Sequence, residues 1–163
     1  MNNIVVFIIC LVIVFGIGSS GTFITRKVVK SEWYECIKSS VTPPSYVFPI
    51  VWNILFMLIS IALYFNVIDV LKQRKEQKVV NYTILILFAI NLIANGLWTF
   101  IFFSMKATAI ALLDLVVVLI TAIFLMIKSN DPRTKWLILP YVLWLCFAGW
   151  LNFSAWKKSE VCT

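Results

Sequence analysis

Histidine is absent from this chain of 163 residues, and acidic side chains are scarce, with seven Asp and Glu against fourteen Lys and Arg. Because histidine is the commonest side-chain base near neutral pH and a common ligand of zinc and haem iron, its absence excludes much catalytic and metal chemistry. We therefore predict no metal site. The chain also contains no GxSxG, HExxH or P-loop pattern.

The four cysteines, Cys10, Cys36, Cys146 and Cys162, form no CxxC pair and have no metal-binding spacing. Cys10 and Cys146 lie inside apolar runs, where we expect them to pack as small apolar groups. Any catalysis would have to use tryptophan, tyrosine, asparagine, cysteine or a single intramembrane acid.

Charged residues make up only 13% of the chain, whereas hydrophobic residues make up 62% and the mean hydropathy is +0.98. A soluble domain has about 25% charged and about 45–50% apolar residues, so this chain has too little polar surface to face water. The composition predicts an integral membrane protein.

Five apolar runs are long enough to cross a bilayer, whose hydrocarbon core of about 30 Å needs roughly 20 helical residues. The runs are continuous rather than alternating, which favours helices over barrel strands. We predict an all-α membrane protein in which residues 1–163 form one bundle of five transmembrane helices. The predicted spans are 4–23, 47–71, 79–104, 107–127 and 136–156.

The first run has a second interpretation as a signal peptide. We disfavour it because no Lys or Arg precedes the run, which also exceeds the usual apolar length of about 7–15 residues. Gly16 and Ser20 within this run have the spacing that permits close approach of two helices.

The basic side chains divide equally between the two membrane faces, so the positive-inside rule leaves the orientation open. The N-terminal face carries Lys72, Arg74, Lys75, Lys78, Lys128, Arg133 and Lys135. The opposite face carries Arg26, Lys27, Lys30, Lys38, Lys106, Lys157 and Lys158. The net charge of +7 favours contact with anionic lipid headgroups, and no nucleic-acid motif is present.

Polar residues at membrane depth are the informative ones. Asn91, Asn95 and Trp98 stand at i, i+4 and i+7, so they share one helix face, and the cost of exposing carboxamides to lipid turns that face inward. This face either forms hydrogen bonds between helices or contributes a polar patch to a ligand cavity. Asp114 is likewise either a structural acid bonded to a Trp, Tyr or Asn side chain, or a functional relay acid.

In the fifth run, Trp144, Ala148 and Asn152 form a stripe of large, small and polar side chains. The small residue leaves room for a flat group. Tyr141 either belongs to the same ligand site as this stripe or lies in a belt of aromatic residues at the membrane interface. Pro140 marks either a kink at the entry of the span or its start.

The stretch TPPSYVFPIVW, residues 42–52, brings three prolines together with three aromatic residues. Because the prolines hold the loop extended, we expect the helix to start near Ser45 and Trp52 to lie about one turn in, facing the bundle. The alternative is a rigid junction with an aromatic belt. The residues assigned to this mouth are Pro43, Pro44, Tyr46 and Pro49.

The chain resembles the translocator protein family, also called the tryptophan-rich sensory proteins. The resemblance covers most of the chain, in the blocks WY at 33–34, the proline and aromatic segment at 38–52, NxxW with IFF at 95–103, ALLD at 111–114 and PYxxWLxFAxxLN with a closing Trp at 140–156. The chain departs from the family where KSSV replaces KPSW at 38–41 and where Ile50 stands in place of a frequent Pro. Phe153 replaces the Tyr of the vertebrate sterol pattern, which argues against cholesterol as the native ligand.

The resemblance implies a five-helix bundle, often dimeric, with a cavity open toward the loop between the first two spans. Such proteins bind porphyrins such as protoporphyrin IX, and bacterial members are linked to light- and oxygen-dependent porphyrin breakdown. The family's cavity tryptophans fall on Trp52 and Trp144. Its cavity amide falls on Asn95 and its small pocket residue on Ala148. Further family positions are matched by Asn152 and Asp114.

We predict a tetrapyrrole-binding sensor or carrier that needs no cofactor and takes protoporphyrin IX or another flat hydrophobic molecule as ligand. The alternatives are a porphyrin-degrading enzyme with Trp52 and Trp144 as catalytic residues, and a structural subunit or small transporter. Membrane lipids are expected partners, a homodimer is compatible with the resemblance, and the cell membrane of a prokaryote is the expected location. The predicted ligand-binding residues are Trp52, Asn91, Asn95, Trp98, Tyr141, Trp144, Ala148 and Asn152. Basic residues expected to meet ligand carboxylates are Arg26, Lys27, Lys30 and Lys38.

Overall fold

Five helical segments of the structure are long and apolar enough to cross a membrane, which confirms the predicted all-α, five-span class. The computed structural model describes residues 2–162. Its elements are α1 (Asn3–Ser19), α2 (Thr22–Val28), α3 (Glu32–Ile37), α4 (Val47–Lys75), α5 (Thr83–Thr99), a π-helical turn (Phe100–Ser104), α6 (Thr108–Lys128) and α7 (Pro132–Ser159). The first span consists of α1 and α2 together.

The long helices pack as a closed ring. Helix α1 lies against α4, α4 against α7, α7 against α6, α6 against α5, and α5 against α1. Small or branched side chains without any exposed surface fill the interior, including Val14, Ala62, Val118 and Leu125. A ring of five helices encloses more interior space than a pair of packed helices. Where side chains do not fill this space, a cavity remains.

The outer surface of the bundle is apolar. Large side chains on this surface that are more than half exposed include Ile4, Val12, Leu113, Ile127 and Leu143. Such an exposed apolar surface is expected of a protein whose solvent is lipid. The structure also corrects one sequence expectation here, because Cys10 is buried but Cys146 is exposed on this outer surface.

Several helix boundaries differ from the sequence prediction. Helix α4 begins at Val47, the first residue of the predicted span and two residues after Ser45, with Pro49 in its first turn. Helix α5 begins at Thr83 rather than at residue 79, after a segment without regular secondary structure.

Helix α7 begins at Pro132, four residues before the predicted start. The Asp131 carboxylate accepts a hydrogen bond from the backbone N–H of Arg133 at 2.9 Å, and Pro132 occupies the first helical position, where its missing N–H costs least. The sequence DPR carries this start signal. Pro140 therefore lies in the interior of α7 and does not mark its beginning.

Within α1, the glycine that lets this helix approach α4 is Gly18, not Gly16. A Cβ atom added at Gly18 would lie 2.2 Å from the ring of Phe56 in α4, whereas one added at Gly16 meets nothing within 4 Å. Phe56 is itself held by ring contacts with Phe15 and Trp52. The spacing of Gly16 and Ser20 therefore does not indicate where α1 and α4 are in close contact. That position depends on the face of α1 that packs against α4.

We expect Gly18→Ala to lower the free energy of unfolding by about 1–3 kcal/mol, because the added methyl group displaces a packed aromatic ring. Gly16→Ala is the matched control, since it adds the same methyl group in open space and raises helix propensity by up to about 1 kcal/mol. Thermal unfolding of both variants in the same detergent measures the difference. Equal midpoints would show that Phe56 relaxes freely and that the contact is not tight.

A disulfide bond joins Cys36 in α3 to Cys162, just beyond α7. The two Cα atoms are 6.0 Å apart, and 126 residues separate them in sequence. Both cysteines lie at the membrane end opposite the N-terminus. Sequence spacing did not indicate this pair, because the two segments meet only when the five spans have assembled.

The disulfide predicts an orientation that the charge count leaves open. Disulfides persist in oxidising compartments and are rare in reducing ones, so we expect α3 and the C-terminus to face the oxidising side and Asn2 to face the cytoplasm. Alkaline phosphatase fused to the C-terminus should be active in a bacterial host, and green fluorescent protein fused to the N-terminus should fluoresce. The opposite reporter pattern would contradict this orientation.

Candidate functional site

A cavity of about 810 Å³ lies at the α3 end of the bundle. Its walls come from α1, α2, α4, α5, the π-helical turn, α6 and α7, while α3 and the loop before α4 cover it. This volume lies within the range of about 300–1,000 Å³ that is typical of small-molecule sites. The six predicted ligand-binding residues that line it are Trp52, Asn95, Trp98, Trp144, Ala148 and Asn152.

Two of the cavity tryptophans stand on adjacent helices. Trp52 of α4 packs against Phe56, with ring centroids 5.2 Å apart, and meets the edge of Tyr141 at 6.2 Å. Trp144 of α7 makes an edge contact of 5.9 Å with Phe48. Prolines before α4 fix the start of that helix, so the register that the sequence predicted for Trp52 is the one in the structure.

A third tryptophan extends the aromatic wall. Trp98 stacks on Phe102 of the π-helical turn, with centroids 5.0 Å apart and the ring planes at 24°. Its indole N–H donates to Asn152 Oδ1 at 2.9 Å, and Asn152 Nδ2 donates to the backbone carbonyl of Thr108 at 2.8 Å. Asn152 thereby joins α5, α6 and α7 at the level of the cavity. The π-helical turn places both Phe102 and Phe103 on the cavity lining.

Beneath the cavity, a buried hydrogen-bond network joins the same three helices. Asn95 Nδ2 donates to the Tyr141 hydroxyl at 2.9 Å, and that hydroxyl donates to Asn91 Oδ1 at 3.2 Å. Asn91 Nδ2 donates in turn to the Val118 carbonyl and to Thr121 Oγ1, at 2.8 and 2.9 Å.

Asn91 and Tyr141 have no exposed surface, and neither belongs to the cavity lining, although both were predicted to bind ligand. Their polar atoms are engaged in the interhelical network. The sequence left two interpretations of the helix face that carries Asn91, Asn95 and Trp98. Hydrogen bonding between helices applies to Asn91, whereas Asn95 and Trp98 line the cavity. The belt interpretation of Tyr141 does not match its position in the bundle interior.

The indole N–H of Trp144 is buried and has no hydrogen-bond partner among the described residues. A buried donor without a partner costs about 1–3 kcal/mol. Trp144 lines the cavity with other atoms of its side chain, because this nitrogen has no accessible surface.

Basic side chains gather at the cavity mouth. Arg26, Lys30 and Lys38 belong to the cavity lining, whereas Lys27 does not, and none of the described lining residues is acidic. Lys38 forms an ion pair with Glu35, while Arg26 and Lys30 form none within residues 2–162. The mouth therefore carries a positive charge that favours anionic groups.

Tyr34 adds a neutral polar group to the same mouth. Burial, reinforced by the negative charge of Glu35, raises the pKa of the Tyr34 hydroxyl above its ordinary value. This hydroxyl therefore stays protonated near neutral pH and remains able to donate a hydrogen bond into the cavity.

The predicted mouth residues divide into two groups. Tyr46 and Pro49 line the cavity, whereas Pro43 and Pro44 lie in the loop that precedes α4 and do not. Among the residues that the sequence did not single out, Phe56, Thr99 and Phe103 also belong to the lining. The IFF block at 101–103 was a signal for Phe103, but no sequence pattern marked the other two.

Asp114 lies on α6, partly exposed and outside the cavity lining. Its Oδ2 atom is buried and has no hydrogen-bond partner among the described residues, so this atom does not form the bond to a Trp, Tyr or Asn side chain that was one of the two alternatives for Asp114. Neighbouring Leu115 and Val118 do line the cavity.

Comparison with known proteins shows the family of this chain. The TspO/MBR family matches residues 8–157. The chain belongs to the TspO/MBR family. The tryptophan-rich protein TspO of Chlorobaculum tepidum is 32% identical over 158 residues, which cover 94% of this chain and 95% of that protein.

Other TspO/MBR relatives come from distant organisms. The tryptophan-rich protein TspO of Archaeoglobus fulgidus is 30% identical, covering 93% of this chain and 95% of its own. The translocator protein of Bos taurus is 28% identical, covering 88% of this chain and 86% of its own. Family membership and five apolar helices together make this an integral membrane protein.

We expect Tyr141→Phe to lower the free energy of unfolding by about 1–2 kcal/mol, because it removes the hydroxyl that links Asn95 to Asn91 and leaves buried amide atoms unpaired. Tyr82→Phe is the control, since Tyr82 is about half exposed at the opposite membrane end. Thermal unfolding in detergent measures both. A Tyr141→Phe variant as stable as the control would show that the network contributes nothing to bundle stability.

Proposed function

We propose that this TspO/MBR protein is a sensor or carrier that binds a tetrapyrrole, such as protoporphyrin IX, or another flat hydrophobic molecule in the cavity at its α3 end. The observation that carries the proposal is one cavity that combines three tryptophans with two unpaired basic side chains at its mouth. A porphyrin has a matching chemistry, with a large planar π system and two carboxylates.

The aromatic wall supports binding of the planar part. Trp52, Trp98 and Trp144 come from three different helices and line the same space. Indole rings contribute large apolar contact areas, and aromatic pairs contribute about 0.5–1.5 kcal/mol beyond burial alone. Ala148 lies beside Trp144 on α7, and its short side chain leaves room for an inserted ring.

The polar groups support orientation of the ligand. Arg26 and Lys30 at the mouth would attract propionate groups, and arginine pairs with carboxylates in a bidentate manner. The ligand would therefore bind with its carboxylates at the mouth and its macrocycle inside.

A titration of purified protein with protoporphyrin IX, followed by tryptophan fluorescence, tests this function. We expect saturable quenching, and we expect Trp52→Phe or Trp144→Phe to weaken binding by about threefold to tenfold, because a smaller ring loses stacking area. Trp150→Phe is the matched control on α7, since Trp150 is half exposed on the outer surface. Unquenched fluorescence at tens of micromolar ligand, a concentration well above typical ligand affinities, would refute the proposal.

The carboxylate contacts have a separate test. We expect Arg26→Gln combined with Lys30→Gln to weaken protoporphyrin IX binding by about fivefold to tenfold, since partly exposed charge pairs contribute modestly. The same variant should bind the dimethyl ester of protoporphyrin IX as well as the wild type does. Lys72→Gln combined with Arg74→Gln at the opposite membrane end is the charge-matched control. An equal loss for acid and ester would place the carboxylates elsewhere.

A further inference from the structure

The Cys36–Cys162 disulfide connects the cover of the cavity to the end of the helix that forms one of its walls. Cys36 belongs to α3 and is an exposed residue, so this end of the bond lies at the protein surface. Cys162 is half-buried and follows the last turn of α7.

Helix α3 and the loop after it cover the cavity. The residues of this cover that line the cavity are Tyr34, Ile37, Lys38, Ser39, Thr42, Ser45 and Tyr46. Helix α7 supplies Trp144, Ala148 and Asn152 to the lining of the same space. Any movement of the cover away from the bundle would therefore widen the entrance to the cavity.

Noncovalent contacts also hold α3, through the side chains of Trp33, Tyr34 and Ile37 and a contact of the Lys106 ammonium with the Trp33 ring. Ile37 is fully buried, and Trp33 and Tyr34 pack against Phe102 and Phe103 at ring distances of 6.1 and 6.0 Å. Lys158 donates a hydrogen bond to the Lys38 carbonyl at 2.6 Å.

With only six residues, α3 is too short to be stable by itself, so its position depends on these contacts and on the disulfide. A short segment with few buried contacts opens more readily than the bundle as a whole, and a covalent bond to α7 restricts that opening.

We propose that Cys36 and Cys162 form a thiol–disulfide latch that controls the opening of the cavity. A dithiol reductant attacks one sulfur of the bond as a thiolate, and the other cysteine leaves as a thiolate and takes up a proton. The second thiol of the reductant then resolves the mixed disulfide. Two electrons and two protons pass from the reductant to the protein, which ends with two cysteine thiols, while the reductant ends as a disulfide. A disulfide oxidant reverses the reaction.

The latch acts on ligand exchange rather than on the ligand contacts themselves. In the oxidised protein the cover stays against the bundle, so entry and exit are slow. In the reduced protein the cover opens more often, and we expect both the association and dissociation rates of protoporphyrin IX to rise about tenfold. The equilibrium affinity should change less than either rate, because Trp52, Trp98 and Trp144 stay in place.

The inference rests on the proposed function only for the ligand rates, so its test begins with a measurement that needs no ligand. Hydrogen exchange of residues 32–42 is compared by mass spectrometry in wild-type protein before and after reduction with dithiothreitol. We expect exchange of this segment to accelerate about tenfold on reduction, while exchange in α6 stays unchanged. Stopped-flow fluorescence then measures protoporphyrin IX rates in the same samples.

Two variants make the comparison specific. Cys36→Ser should match the reduced wild type in both measurements and should not respond to reductant. Cys146→Ser keeps the latch and removes a cysteine on the outer surface, so it should respond as the wild type does.

The outcomes are distinguishable. Unchanged exchange of residues 32–42 on reduction, or free Cys36 and Cys162 thiols in protein isolated from an oxidising compartment, would overturn the latch. Exchange that accelerates without any change in ligand rates would overturn its role in cavity opening. If residues 32–42 respond to reduction but protoporphyrin IX binds in neither state, the latch stands and the proposed ligand is wrong.

Discussion

Hydrogen bonding between helices inside a medium without water is the constraint on which this structure depends. Lipid offers no partner for an amide or a hydroxyl group, so polar side chains within the spans must pair with one another. Asn91, Asn95, Tyr141 and Asn152 do so, and together they connect α5, α6 and α7. These hydrogen bonds determine which faces of the three apolar helices meet. Van der Waals contacts alone would determine this less strictly, because the aliphatic surfaces of the helices are similar.

The same network determines where the cavity can exist. At the level of Asn91 the interior is filled and its polar groups are paired, so no ligand can enter. One to two turns closer to α3, Asn95, Trp98 and Asn152 keep their structural bonds and still line open space. The buried network thus forms the floor of the cavity, and the covered entrance lies at the end where α2 and α3 depart from the simple helical ring.

Helical periodicity predicted the inward faces well, because residues spaced three or four apart share a side whatever their neighbours are. It correctly directed Asn95, Trp98 and Trp144 into the bundle. It could not separate Asn91 and Tyr141 from those residues, since periodicity gives a direction and says nothing of whether the interior at that depth is filled or open. The sequence did not indicate the close contact at Gly18 either, because whether a glycine permits close packing depends on the side chain of the neighbouring helix that lies against it.

The amino-acid sequence by itself determined that the chain is a five-span helical membrane protein, because run length and composition reflect the thickness and polarity of the bilayer. It also determined, through its motif blocks, the resemblance to a family and most of the aromatic wall. Only the tertiary structure decided that Cys36 reaches Cys162, that Asn95 bonds to Tyr141, and that Asp114 lies outside the cavity. These facts concern residues far apart in the chain, and their proximity follows from the order in which five similar helices close into a ring.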